Sequence, residues 1–186
     1  ELVDDKKFSA MISRLEPDDA LFLLEKIPES RWKVVLEILQ PDQRAKLDRM
    51  LLYPKNSAGS VMTSNYVEVR SDMTVDQAIE SLRSRPDVSG IFYIYVVDEG
   101  GRLVGVQSLR NLVMSPSGTV VKNIMTGDVH SVVAGASQEE ASQMVTRYAL
   151  LALPVVSDSR ELLGVITVDD VIDIVKEEAT EDIYHL

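Results

Sequence analysis

Apolar positions recur at helical spacing in the first third of the chain: Ala20, Leu21 and Leu24, then Val34, Val35 and Ile38, then Leu47, Met50 and Leu51. Each run has a proline near its first turn, at Pro17, Pro28 and Pro41. There the missing N–H has no intrahelical partner to lose. The prolines stand 11 and 13 residues apart. That spacing predicts short helices of about two to three turns, packed as a small right-angled or superhelical stack over residues 1–53. "YPKNSAGS" at 53–60 breaks the pattern with Pro, Asn, Ser and Gly, and 54–60 reads as a linker. Beyond it, short continuous apolar runs such as "YIYVV" (93–97) and "ALPVV" (152–156) suit strands buried on both faces.

These strands belong to a repeat. "VMTSNYVEVRSDMTVDQAIESL" from Val61 aligns with "IMTGDVHSVVAGASQEEASQMV" from Ile124, with Met62 and Met125 63 residues apart. "YVVDEGGRLVGVQSLRNLV" aligns with "PVVSDSRELLGVITVDDVI", with Gly105 and Gly164 59 apart, so repeat 1 carries four extra residues around "RPDVSG". Each repeat opens on a Met-Thr turn and a short strand (Tyr66–Val69; Val129–Val133). A helix follows, N-capped by Thr74 or Ser137 with Gln77 or Glu140 three residues on. Then come a strand (Phe92–Val97; Ala152–Val156), a turn, a second strand (Leu103–Gln107; Leu162–Ile166), and a closing helix starting at Ser108 or Thr167. One such β-α-β-β-α unit is too small to close a core, and two stacked units are stable. The predicted fold class is α+β: a short all-α N-terminal domain (1–53), the linker, repeat 1 (61–120) and repeat 2 (121–180).

Composition narrows the chemistry. The 186 residues carry a net charge of −11, which argues against nucleic acid as a partner and is compatible with cations. There are no cysteines and two histidines, so neither a disulfide framework nor a zinc cage is expected. No apolar run approaches the roughly 20 residues of a membrane span. No nucleophile–base order, P-loop or GxGxxG is present, and no enzymatic activity is expected. Four of the seven methionines, Met62, Met73, Met125 and Met144, sit in apolar contexts and read as core.

From about Thr167, Asp170, Asp173, Glu177 and Glu181 fall on one helical stripe, with Val171, Ile172, Val175 and Ala179 assigned to the opposite face. Carboxylates crowded toward a helix C-terminus repel one another and the macrodipole. Two readings stand: a solvated acidic face, and a face that binds a hard cation through oxygen ligands. Asp18 and Asp19 after Pro17, and Glu139 and Glu140 in "SQEE", are first-turn acids that helix capping alone would explain.

The duplicated phrase Gly-x-x-Ser/Thr-x-x-Asp/Asn, with its order and spacing, resembles the CBS domain pair over about 57–180. The short helices, "YPKNSAGSVMT" (53–63), "YVVDEGGRLVGVQSLR" (95–110) and "ITVDDVIDIVKEEATEDIYHL" (166–186) together resemble the MgtE-type magnesium transporter family over nearly the whole chain. The resemblance implies a regulatory region on the cytoplasmic side of the inner membrane that binds Mg2+ and holds a pore shut. It implies a homodimer through the CBS pair and a C-terminal transmembrane domain of the same parent chain, toward which 181–186 would lead. The implied metal ligands are Asp18, Asp19, Glu139, Asp170, Asp173, Glu178, Glu181 and Asp182, with carboxylates of the N domain facing those of the CBS pair. The implied nucleotide site for ATP is Gly59, Tyr93, Ser108, Arg110 and Asn111. The chain departs from the family's pattern there. Asn111 replaces an Asp that accepts from ribose hydroxyls, and Leu150 stands where the base would be stacked. Its N domain is also short for the family. Two alternatives remain: an adenine-nucleotide-sensing CBS module that regulates another protein, and a structural adaptor docking through its helical N-terminus.

Overall fold

The computed structural model describes residues 4–15, 17–85 and 92–184, with side chains as far as Lys176. The insertion at "RPDVSG" lies almost wholly outside these residues.

The helical stack comprises α1 (Asp5–Ile12), α2 (Pro17–Glu25), α3 (Glu29–Ile38) and α4 (Pro41–Met50). Pro17 and Pro41 are first helical residues and Pro28 is the N-cap of α3. One apolar cluster joins the four helices, with Ile12, Ala20, Leu24, Val35 and Leu47 fully buried at its centre. Polar ties cross it: Ser9 Oγ donates to the Val35 carbonyl, Trp32 Nε1 to the Ile27 carbonyl, and Arg31 forks onto Asp5. The phase of α3 differs from expectation. Val35, Leu36 and Leu39 are buried, while Val34 and Ile38 are exposed.

The stretch expected to be a linker is packed. It contains α5 (Ala58–Val61), whose N-cap Ser57 and Ser60 form a reciprocal capping box. Ala58 and Gly59 donate backbone hydrogen bonds to the carbonyls of Ala136 and Ala134, and Gln138 N–H donates to Asn56. The Tyr53 ring lies against Gly59.

Each repeat forms a three-stranded sheet, β1-β2-β3 and β4-β5-β6. The strands are β1 (Val67–Arg70), β2 (Tyr93–Val97), β3 (Leu103–Ser108), β4 (Val132–Val133), β5 (Ala152–Val156) and β6 (Leu162–Thr167). In both sheets the first pair is parallel and the second antiparallel, with a register shift at the same repeat position, Val96/Val97 and Val155/Val156. The parallel step is bridged by α6 (Val75–Arg83) in repeat 1 and α8 (Gln138–Tyr148) in repeat 2; α7 (Leu109–Met114) and α9 (Val168–Tyr184) close the repeats. Thr74 and Ser137 cap their helices as expected. β4 is shorter than expected, because Val129 packs instead against the apolar cluster between the two sheets.

The repeats exchange their opening segments. Thr63 of repeat 1 bridges Val165 on β6, and Thr126 of repeat 2 bridges Val106 on β3, each through two backbone hydrogen bonds of 2.8–3.0 Å. This exchange explains the glycine of the repeated phrase. A Cβ on Gly164 would stand 2.7 Å from Met62 Sδ and 2.9 Å from the Thr63 carbonyl, and one on Gly105 would strike Met125. The Met-Thr of one repeat is seated on the Gly of the other.

Candidate metal centre

Asp18 lies in the first turn of α2 and Asp170 in the first turn of α9. The fold brings these two helix starts into the lining of one cleft of about 370 Å³, with the Asp18 and Asp170 carboxyls close enough to act on each other. Leu21 and Leu24 bury the inner face of α2, and Val171 and Ile174 that of α9, so both carboxylates turn toward the gap half-buried. Asp170 Oδ2 accepts from the Thr167 N–H at 3.0 Å and from the Thr167 hydroxyl. Asp18 Oδ1 is buried and has no hydrogen-bond partner.

Their electrostatics follow from that placement. Burial, then the charge of Asp170, pushes the Asp18 carboxyl up to about 7. Burial also raises Asp170, opposed by the two bonds from Thr167. Two helix N-termini soften the repulsion without removing it. A facing pair of this kind can share a proton or bind a cation, and a divalent ion bound between them reverses both shifts. The oxygen-only donors suit Mg2+, which takes one or two carboxylates and keeps several waters, and the cleft has room for a partly hydrated ion. The orphaned Asp18 oxygen is the position such an ion would satisfy.

Asp19 and Asp173 are exposed and line the cleft from its rim. Glu139 is exposed and absent from the lining, which takes Gln138 from the same helix turn instead. Glu178, Glu181 and Asp182 are on the course of α9, but their side chains lie outside the described residues. Glu25 also lines the cleft. Its spacing of seven from Asp18 on an amphipathic helix would have found it in the sequence. Among the described residues, no three carboxylates or histidines are gathered closely enough to enclose a metal by themselves. The centre is a facing pair with acids at the rim.

In repeat 1, Tyr93 pairs with Ser108 across the ladder, and Arg110 and Asn111 follow in the exposed first turn of α7. Ser108 Oγ caps that helix by accepting from the Asn111 N–H. Gly59 does not join this group. It is buried beside Tyr53 and bonded to Ala134, on the repeat 2 side. Leu150 packs against the repeat 2 core.

Residues 1–56 match the MgtE intracellular N domain, and residues 58–116 and 121–177 match the CBS domain. This chain belongs to the MgtE family. It is 41% identical over 169 residues to the magnesium transporter MgtE of Thermus thermophilus, covering 90% of this chain and 38% of that relative. The chain therefore spans well under half the length of that transporter. The crystal structure of the soluble part of a magnesium transporter superposes with a TM-score of 0.87 at 33% identity, over 95% of this chain and 70% of the other. The cytosolic domain of the Mg2+ channel MgtE in complex with ATP superposes with a TM-score of 0.83 at 37% identity, over 90% and 69%. Among the described residues, no helix is long and apolar enough to cross a membrane.

Proposed function

We propose that this chain is the Mg2+-sensing regulatory region of a magnesium channel or transporter, carried on the cytoplasmic face of the membrane. Mg2+ binds between Asp18 and Asp170, with Asp19, Glu25 and Asp173 holding its waters. Binding fixes the helical stack against repeat 2, and in the parent protein this arrangement favours the closed pore through whatever follows α9. Glu178, Glu181 and Asp182 enter this reading only through the family resemblance, and Glu139 contributes only at longer range. The observation that carries the reading is the half-buried facing pair with an unpartnered Asp18 oxygen. A ligand that binds only the folded state stabilises it by mass action. MgCl2 should therefore raise the melting temperature above that in NaCl of matched ionic strength, and Asp18→Asn with Asp170→Asn should abolish the difference. Equal shifts in MgCl2 and NaCl would overturn the reading.

The region acts as a homodimer through the CBS pair. Val113 on α7 and Ile172 on α9 occupy equivalent repeat positions, and both are exposed, at 58% and 50%. Two apolar points related by the internal pseudo-two-fold suit an isologous contact.

A nucleotide reading is favoured at repeat 1 by the cluster of Tyr93, Ser108, Arg110 and Asn111, and by the ATP complex of the related cytosolic domain. Asn111 can accept from one ribose hydroxyl but brings no charge. ATP should bind there more weakly than to an Asn111→Asp variant, as read by calorimetry; equal affinities would remove Asn111 from the site.

A further inference from the structure

Among the described residues, one basic side chain lines the acidic cleft, Lys176, while Lys55 Nζ reaches the cleft acid Glu25 from outside the lining at 3.8 Å. The neighbours of Lys176 in the lining are Asp18, Asp19, Glu25, Asp170 and Asp173. Long side chains on a helix lean toward its N-terminus. Lys176 does so: Nζ reaches back one turn to Asp173 Oδ1 at 2.9 Å. That holds the ammonium at the solvent-exposed rim of the cleft. The pair is solvent-exposed on both sides, at 69% and 77%. Exposed pairs of this kind contribute little to stability.

We propose that Lys176 is a tethered counter-cation that sets the divalent-ion affinity of the cleft; the inference rests on the Mg2+-sensing reading above. Its single charge partly neutralises the acids when no ion is bound. A divalent ion entering the cleft meets that charge as repulsion, and it competes with the ammonium for Asp173. The lysine thus moves the working range of the sensor to higher Mg2+ without touching the Asp18–Asp170 pair. Because the effect is carried by charge, arginine at 176 preserves it and glutamine removes it.

The test is the midpoint of the MgCl2-dependent rise in melting temperature, at constant ionic strength, for the whole chain and three variants. Lys176→Gln is expected to lower the Mg2+ midpoint about three- to tenfold, the size of one screened charge near a divalent ion. Lys176→Arg should leave it unchanged. Lys122→Gln makes the same change in net charge on an exposed turn at the start of repeat 2, away from the cleft lining, and should leave it nearly unchanged. A Lys176→Gln midpoint equal to that of the wild-type chain, or to that of Lys122→Gln, overturns the tethered-cation role while leaving the sensor intact. A wild-type chain whose melting ignores MgCl2 takes down the sensor reading itself, and this inference with it.

Discussion

Asp18 carries more of the chemistry than its sequence context announces. After a proline, an aspartate reads first as a helix cap, and nothing local says that its carboxyl will face Asp170 across 152 positions of chain. The linear pattern offers acids in pairs; only the cleft that α2 and α9 share brings Asp18 and Asp170 together and leaves Asp19, Asp173 and Glu139 exposed. The consequence is a pH dependence with a definite sign. A carboxyl raised from 3.8 to about 7 binds its proton more tightly in the folded chain than in the unfolded one. Its favourable contribution is present at the acid end of that window and is lost as pH rises toward 7. The melting temperature of the ion-free chain should fall between about pH 4 and 7, Asp18→Asn should flatten the fall, and saturating MgCl2 should do the same by replacing the proton with a cation. A decline of unchanged slope in Asp18→Asn would assign it to net charge instead.

Elements were legible where pattern and geometry share one period. The duplicated strands, the caps at Thr74 and Ser137, and the helices opened by proline follow from spacing alone. Helix phase was not legible. In α3, "VVLEIL" places five apolar residues in six positions, so periodicity leaves the buried face open and packing on α1 decides it. In α9, Val171 and Ile174 are buried while Ile172 and Val175 are exposed, although helical spacing groups Val171, Ile172, Val175 and Ala179 on one face opposite the acids. The phase of α3 is checkable by truncation. Leu36→Ala removes a buried side chain and should cost about 2–5 kcal/mol. Ile38→Ala, 43% exposed, should cost less than about 1 kcal/mol. Urea unfolding of the two variants measures the difference, and equal losses would show that the exposed face of α3 is covered in solution.

At the scale of the molecule, the fastened segment from Tyr53 to Val61 restricts how the parts can move. The residues that composition marks as flexible are tied to repeat 2 by the bonds of Ala58 and Gly59, because Gly and Ser serve close packing as readily as they serve freedom. Any swing of the helical stack must pivot before Tyr53, near the 81%-exposed Leu52. The same scale governs assembly. With −11 per chain, association opposes charge repulsion and should strengthen with Mg2+. Sedimentation should show a dimer in MgCl2 that Ile172→Asp converts to a monomer with an unchanged melting profile at low concentration. A dimer that survives Ile172→Asp would place the contact elsewhere.

The exchange of Met-Thr segments has a consequence for how the chain could have come to be asymmetric. Either repeat alone would present an unfinished strand edge, at Val106 or at Val165, and would need a sibling to supply the missing piece. The pair is in that sense a two-subunit ring closed within one polypeptide. Separate identical subunits must write every residue twice, so a ligand on one is a ligand on both. Joining them end to end lifts that constraint, and the equivalent positions 111 and 170 now hold an amide and a carboxylate, free to answer to different molecules.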